Sequence, residues 1–334
     1  MTETICQGFA EALEFRLWPV RNPAGSSGLG WYLRKHGRLT LSLLRAGLSA
    51  RGSCYFVPDS NGGLWANILE ACVMRLLFRQ VWLHHHVFSY VRRRDRRMAA
   101  ILKILGPKAR HIALGEAMAE GLRTGYDARS IHVLGNADFV REAPAARPRR
   151  RLDTVGFISN ITREKGIGLF MEAMRLAQAA PAGPGPTGPD CVIAGPIRDE
   201  SLKAEIEAFC AESPARRKWV GSVSGASKDA FFDDIDLLLF PSLYPNEALP
   251  VTIYEALAAG VPVLATRRGC IPGQLEGLDG CLDDADFAAG AAGRIAAWVA
   301  DPESFAAASR AATESFNRQR DEDRCSLQDL IAKI

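Results

Sequence analysis

No stretch of 18 or more apolar residues occurs in the 334 residues, so no helix is expected to span a bilayer. Met1-Thr2-Glu3-Thr4 is not followed by the basic and apolar regions of a secretory signal. The eight cysteines are scattered from Cys6 to Cys325 without metal-ligand spacing, so zinc is not expected. Several lie in apolar runs such as Cys191-Val192-Ile193, which reads as reduced thiols in a cytoplasmic protein. There is no large excess of either charge: 41 Lys and Arg against 38 Asp and Glu leave +3, and nucleic acid is not indicated. No short internal repeat is present. The composition that remains, 48% hydrophobic and 24% charged, is that of an ordinary globular protein with length enough for two domains.

From residue 52 onward, short strand-like apolar runs alternate with amphipathic helical stretches. Strands are expected at Ser53–Val57, Val81–Leu83, His111–Leu114 and Ile131–Leu134, with helices at Leu64–Phe78, Met98–Leu105 and Glu116–Arg123. Ala143–Arg151, rich in Pro and Arg, reads as a linker. The alternation restarts with strands at Thr154–Ile158, Val192–Ala194, Trp219–Val220, Leu237–Phe240 and Val261–Thr266. The helices between them are expected at Gly168–Ala179, Leu202–Cys210 and Val251–Ala259, with Ala180–Pro189 a flexible loop. Such alternation gives parallel βα units, here an α/β chain of two doubly wound domains facing across a cleft. The expected division is 1–142, a linker at 143–151, 152–315, and a helical segment at 316–334. The N-terminal end departs from this pattern. Residues 1–13 read as a helix and Phe15–Val20 as a strand, but the usual first strand with its Gly-rich turn is missing, through a different start or a truncation.

Leu239–Gly269 (LFPSLYPNEALPVTIYEALAAGVPVLATRRG) holds the most chemistry. Glu247 and Glu255 have seven residues between them. Pro250 is expected just inside the start of a helix, where its missing N–H costs nothing. Glu247 then lies in the loop and Glu255 one to two turns in. The amides of Ala248, Leu249 and Val251 would meet hydroxyls or phosphate oxygens at the helix N-terminus. A sugar nucleotide fits this arrangement lengthwise, Glu247 toward sugar hydroxyls and Glu255 toward the ribose.

This segment resembles the donor-binding signature of retaining glycosyltransferases of the two-domain GT-B fold, glycosyltransferase family 4. The resemblance rests on Pro241-Ser242, Glu247 and Glu255, Ala256–Val263 and Gly269–Pro272. Upstream, Phe157–Gly166 resembles the start of the family's second domain, where an Arg and a Lys contact the donor diphosphate. Lys165 matches the lysine. Asn160 stands where the arginine is usual, with Arg163 nearby as its substitute. Trp219–Val223 resembles the turn beside the nucleotide base, which assigns base contacts to Gly221 and Ser222. Asn136-Ala137-Asp138 resembles a shortened form of the hinge between the domains. By this resemblance a sugar passes from a nucleoside-diphosphate sugar to a glycan or lipid-linked acceptor. Configuration is retained, no metal or other cofactor takes part, and the work is bacterial-type surface polysaccharide synthesis. The last helix would cross back to the first domain.

In the family a histidine ending a strand of the first domain approaches the donor sugar. His84-His85-His86 supplies candidates, and alternation places His84 and His86 on one face and His85 on the other. The basic runs Arg92–Arg97 and Arg147–Arg151 have two main readings, a solvated face and a peripheral contact with an anionic membrane, which the helix Gly30–Ala46 would share; nucleic acid is a poor third, because no aromatics are interleaved with the arginines. Two further readings of the whole chain stand beside transfer: a GT-B-shaped non-catalytic or truncated binding subunit, and a sugar-nucleotide epimerase.

Overall fold

The computed structural model describes residues 28–49, 52–140, 149–179 and 188–333. The expected helix 1–13, the strand 15–20, most of the linker and most of the 180–189 loop lie outside the described residues. The chain forms two compact units. One runs to Gly135 and resumes at Asp323; the other is Asn136–Glu322.

The first unit contains α1 (Leu29–Ser49), β1 (Ser53–Phe56), α2 (Gly63–Leu77), β2 (Gln80–His85), α3 (Ser89–Arg92), α4 (Arg96–Leu105), β3 (Ala109–Ala113), α5 (Glu116–Tyr126) and β4 (Ile131–Val133). Its strands pair in parallel in the order β1-β2-β3-β4. Val81, Leu83 and Ile112 of the sheet are fully buried, as are Met74 of α2, Met98 and Ile101 of α4 and Met118 of α5. Complete burial of such side chains contributes about 1.5–3 kcal/mol each. α4 begins two residues before its expected start because Asp95 caps it, accepting from the Arg97 amide at 2.8 Å. β2 extends beyond the expected Val81–Leu83 and includes two histidines. Tyr55, Tyr90 and His111 supply the partners that make their burial tolerable.

The second unit contains β5 (Thr154–Ile158), α6 (Ile167–Ala179), β6 (Asp190–Ala194), α7 (Glu200–Ala211), β7 (Arg217–Trp219), α8 (Ala226–Asp234) and β8 (Leu237–Phe240). α9 (Val251–Ala258), β9 (Val263–Thr266), α10 (Ile271–Gln274), β10 (Cys281–Leu282) and α11 (Phe287–Ala300) follow, with α12 (Pro302–Ile331), whose residues from Asp323 on belong to the first unit. The strand order is β10-β9-β8-β5-β6-β7, parallel throughout. The chain winds outward from β5 to β7, returns to the centre, and winds the other way from β8 to β10. α6 and α11 pack together through Phe170, Ala173, Phe287 and Ala291. β9 starts at Val263, not Val261, because Pro262 has no N–H for the ladder. β7 ends at Trp219 because the backbone turns at Gly221, where φ is +73°. Arg149, placed by sequence in the linker, belongs to this unit. Its amide donates to Ser309 Oγ at 2.9 Å, and its guanidinium donates to the carbonyls of Phe232 and Asp233.

Candidate functional site

The direction of winding reverses between β5 and β8. In doubly wound sheets the crevice at the carboxyl ends of such a strand pair takes the ligand. Two loops meet there. After β5 the chain makes a short turn, Arg163–Lys165, and enters α6 through Gly166. After β8 it runs through the buried Pro241 and Ser242 to Glu247. The Leu243 amide donates to the Glu164 carbonyl at 2.8 Å, which ties the loops together. Gly166 has φ +78°, and a side chain there would strike the carbonyl of Pro241. Gly166→Ala should therefore cost at least the roughly 1–3 kcal/mol of a left-handed non-glycine residue. Gly168→Ala has open space within α6 and serves as the control, with stability unchanged or raised. Urea unfolding of both variants reads the difference; equal midpoints would show that the loops do not need this close approach.

Lys165 Nζ donates to Glu247 Oε2 at 2.7 Å, and Ser242 Oγ donates to the same oxygen at 2.7 Å. Tyr244 lies beneath the ammonium, 4.6 Å from Nζ to the ring centroid. Thr266 Oγ1, at the end of β9, donates to the Ser242 carbonyl at 2.6 Å. Gly269, with φ +51°, packs against the carbonyls of Glu247 and Ala248, and the Cys270 amide donates to Ala248 at 2.7 Å. Three loops thus hold Glu247 and Lys165 as a partly buried pair.

Ala248, Leu249 and Val251 lead into α9 as expected. Pro250 is the N-cap rather than an internal residue: its ψ of 121° is extended, and its carbonyl accepts from the Ile253 amide and from Gln274 Nε2. The buried Asn136, read only as part of a hinge, donates through Nδ2 to the Leu249 carbonyl at 3.3 Å. Glu255 follows on α9. Lys228 of α8 holds both of its carboxylate oxygens at 2.5 Å. Burial pushes the Glu255 carboxyl up, and the Lys228 ammonium opposes that shift. Sequence reasoning missed Lys228, Ser242 and Tyr244 as site residues. Pro241-Ser242 was within the quoted signature, but nothing in the order of residues marks Lys228.

Arg163 is not brought to this cluster. It is exposed and paired with Glu205 of α7, with contacts of 2.5 and 3.0 Å. Asn160 is exposed in the loop after β5. Gly221 lies beyond β7 at the sheet edge, where its carbonyl accepts from the Gly195 amide at 2.6 Å, and the adjacent Ser222 is exposed. Among the described residues no group of three His, Cys, Asp or Glu side chains is placed to hold a metal ion.

The candidate histidines belong to the other unit. His84 Nδ1 is 2.6 Å from the Tyr55 hydroxyl, and the His84 and His86 rings lie 4.0 Å apart. They share a face, as alternation requires. His85 lies on the opposite face, buried against Tyr90 and stacked on His111. Burial holds all four imidazoles below their ordinary range, His86 and His111 at about 4. The unfolded chain, with histidines near 6.5, therefore binds more protons between about pH 4 and 6.5. Stability of this unit is full above that window and falls as the pH is lowered through it. Thermal midpoints at pH 7 and pH 5.5 should show the drop, and His111→Asn should make it smaller. A midpoint indifferent to pH would contradict neutral burial of these rings.

Residues 142–315, more than half of the chain, match the family described as glycosyl transferases group 1. A curated relative is the amylovoran biosynthesis glycosyltransferase AmsK of Erwinia amylovora, 27% identical over 125 residues. That alignment takes in 36% of this chain and 29% of the relative's length, so the chain spans under a third of the relative it matches. Among solved structures, Anabaena HepE in complex with UDP-glucose superposes with a TM-score of 0.65 at 16% identity, over 89% of this chain and 81% of that one. Sucrose-phosphate synthase from Thermosynechococcus elongatus gives 0.69 at 15% identity, over 98% and 91%. The parallel α/β architecture is that of GT-B glycosyltransferase structures. With more than half of its length matched to one family, the chain belongs to the glycosyl transferases group 1 family.

Proposed function

We propose that this protein transfers a glycosyl group from a nucleoside-diphosphate sugar to a glycan or lipid-linked acceptor, with retention of configuration. The observation that carries the reading is the Ser242–Glu247–Lys165 cluster at the reversal point between β5 and β8. Lys165 is paired with Glu247. A donor diphosphate competes for that ammonium and is the stronger anion. Lys165 then stabilises the charge that develops on the departing diphosphate. Glu247, still held by Ser242, turns its carboxylate to the donor sugar hydroxyls beside the anomeric carbon. Glu255 takes the ribose hydroxyls, and the Lys228 ammonium opposes the upward push that burial gives its carboxyl. Because a lysine supplies the positive charge, the step needs no metal. The departing phosphate oxygen accepts the acceptor's proton as the new glycosidic bond forms on the face it leaves.

HepE is a nucleotide-sugar-binding neighbour and AmsK a polysaccharide-biosynthesis relative, so a UDP-sugar and a surface polysaccharide are the first donor and product class to try. A cytoplasmic reaction is part of this reading, and free thiols such as Cys54 and Cys191 support it, since such thiols stay reduced there.

A thermal-shift screen of nucleoside-diphosphate sugars on the purified chain tests the reading. A bound donor at 100 times its dissociation constant adds about 2.7 kcal/mol of stability. The expected result is a shift with one donor class that Glu255→Ala abolishes. No shift with any donor would refute donor binding, and a shift that survives in Glu255→Ala would remove the ribose role.

A further inference from the structure

α1 is amphipathic, yet the face it packs against the protein is partly polar. His36 Nδ1 meets Glu70 Oε1 of α2 at 2.9 Å, Lys35 pairs with Asp59, and the Tyr32 hydroxyl donates to the Gly62 carbonyl. Glu70 is fully buried and is also held by Asn67 Nδ2 at 2.7 Å. A buried carboxyl tolerates few alternatives to such partners, so these contacts fix the rotation of α1.

That rotation leaves leucines outside. Leu29, Leu33, Leu41, Leu44 and Leu48 recur along α1 at spacings of three, four and eight residues, and Leu48 is 78% exposed. At about 100° per residue they fall within one third of the helix circumference. α2 carries a second stripe, Trp65, Leu69 and Leu76, the last 80% exposed. His36 faces Glu70 and Gly47 faces Leu77, so the two helices run in the same direction. With those contacts set, the helical turn directs both stripes to the same side of the pair.

The rim of this apolar face is positive. α1 has four basic residues and no Asp or Glu, and the one acid of α2 is the buried Glu70. Arg34, Arg38 and Arg45 follow one edge of the α1 stripe. Beside α2, the Arg97 guanidinium of α4, paired with Asp95, lies 5.9 Å from the Trp65 ring centroid, and its sequence neighbours Arg92, Arg93, Arg94 and Arg96 are exposed. Large exposed apolar patches mark interaction sites. A second copy of this chain would bring one positive rim against another. A surface with an apolar interior and anionic headgroups matches both features.

We propose that α1 and α2 dock together on an anionic bilayer, their leucines and Trp65 among the acyl chains and the arginines on the lipid phosphates. This binding goes beyond glycosyl transfer and needs neither donor nor turnover. Co-sedimentation of the full chain with vesicles tests it, using phosphatidylcholine alone and equal parts phosphatidylcholine and phosphatidylglycerol. The expected result is binding to the anionic vesicles, weakened by salt and by omission of phosphatidylglycerol. Combined Leu33→Gln, Leu48→Gln, Leu69→Gln and Leu76→Gln should cut it by about tenfold or more, whereas Leu→Met at these positions should retain it. Arg34→Gln, Arg38→Gln and Arg45→Gln together should weaken the anionic preference and its salt dependence. Melting of each variant at pH 7 shows that it is folded. Absence of vesicle binding, or binding unaffected by the glutamines in folded protein, would overturn the proposal. So would a lipid-free dimer that the glutamine variant converts to monomers, since a second copy would then be the occupant.

Discussion

Glu247→Gln should lower turnover by about two to three orders of magnitude while donor affinity stays within a few-fold of the parent. The size follows from removing a group whose contact strengthens only as the glycosidic bond breaks, comparable to loss of one preorganised transition-state contact. The substitution is isosteric, and the amide oxygen can still accept from Lys165 and Ser242, which now lie 2.7 Å from Glu247 Oε2. The loop therefore keeps its shape. On the proposed function, what is lost is the negative charge that faces the anomeric centre. Steady-state kinetics with a confirmed donor, alongside direct donor titration, separate the two effects. A variant that turns over normally would remove Glu247 from the reaction, and a variant that no longer binds donor would make it a binding residue instead.

Lys165→Ala should weaken donor binding and turnover together. A hydrogen bond to a charged group contributes about 1.5–3 kcal/mol, which is roughly ten- to hundredfold in affinity. Turnover should fall further than that, because charge on the diphosphate grows as it departs. Glu247 then loses its cation and is left with Ser242, and Tyr244 loses the ammonium above its ring. Arg163→Ala makes the contrasting control. Its guanidinium is engaged by Glu205 on the surface, so both parameters should hold. Equal losses in the two variants would mean that Arg163 leaves Glu205 to serve the donor.

The parts of the site that are contiguous in the chain were legible in the sequence. β8, the loop with Glu247 and α9 with Glu255 follow from one run of residues, because turn chemistry and apolar patterning act over short distances. That Lys165 shares a site with Glu247, 82 positions away, was expected only through family resemblance, and their direct pairing was not expected at all. Lys228 was invisible for the same reason: its role comes from where α8 packs, not from its neighbours in sequence. Arg163 shows the converse. Proximity in sequence to Lys165 suggested a shared role, whereas the turn Arg163–Lys165 points the two cations to different partners. The three histidines read as a strand end running into a loop. Tyr55, Tyr90 and His111, distant in sequence or on another strand, are what carry β2 through His85. β10, only two residues long, is too short to leave any periodicity. The helix Gly30–Ala46 was legible in the sequence as a candidate surface helix, but not which of its leucines point outward, because an apolar stripe usually faces inward. The buried Glu70 reverses it.

The central claim is that a nucleoside diphosphate binds at the reversal point between β5 and β8. Amide hydrogen exchange with and without UDP, and then ADP and GDP, tests that location without requiring an acceptor or a known sugar. The expected result with one nucleotide is slowed exchange in the Arg163–Lys165 turn, the Ser242–Glu247 loop and the first turn of α9, with α4 and α5 unchanged. Unchanged exchange in all three of those segments at saturating nucleotide, or protection confined to other elements, would contradict it.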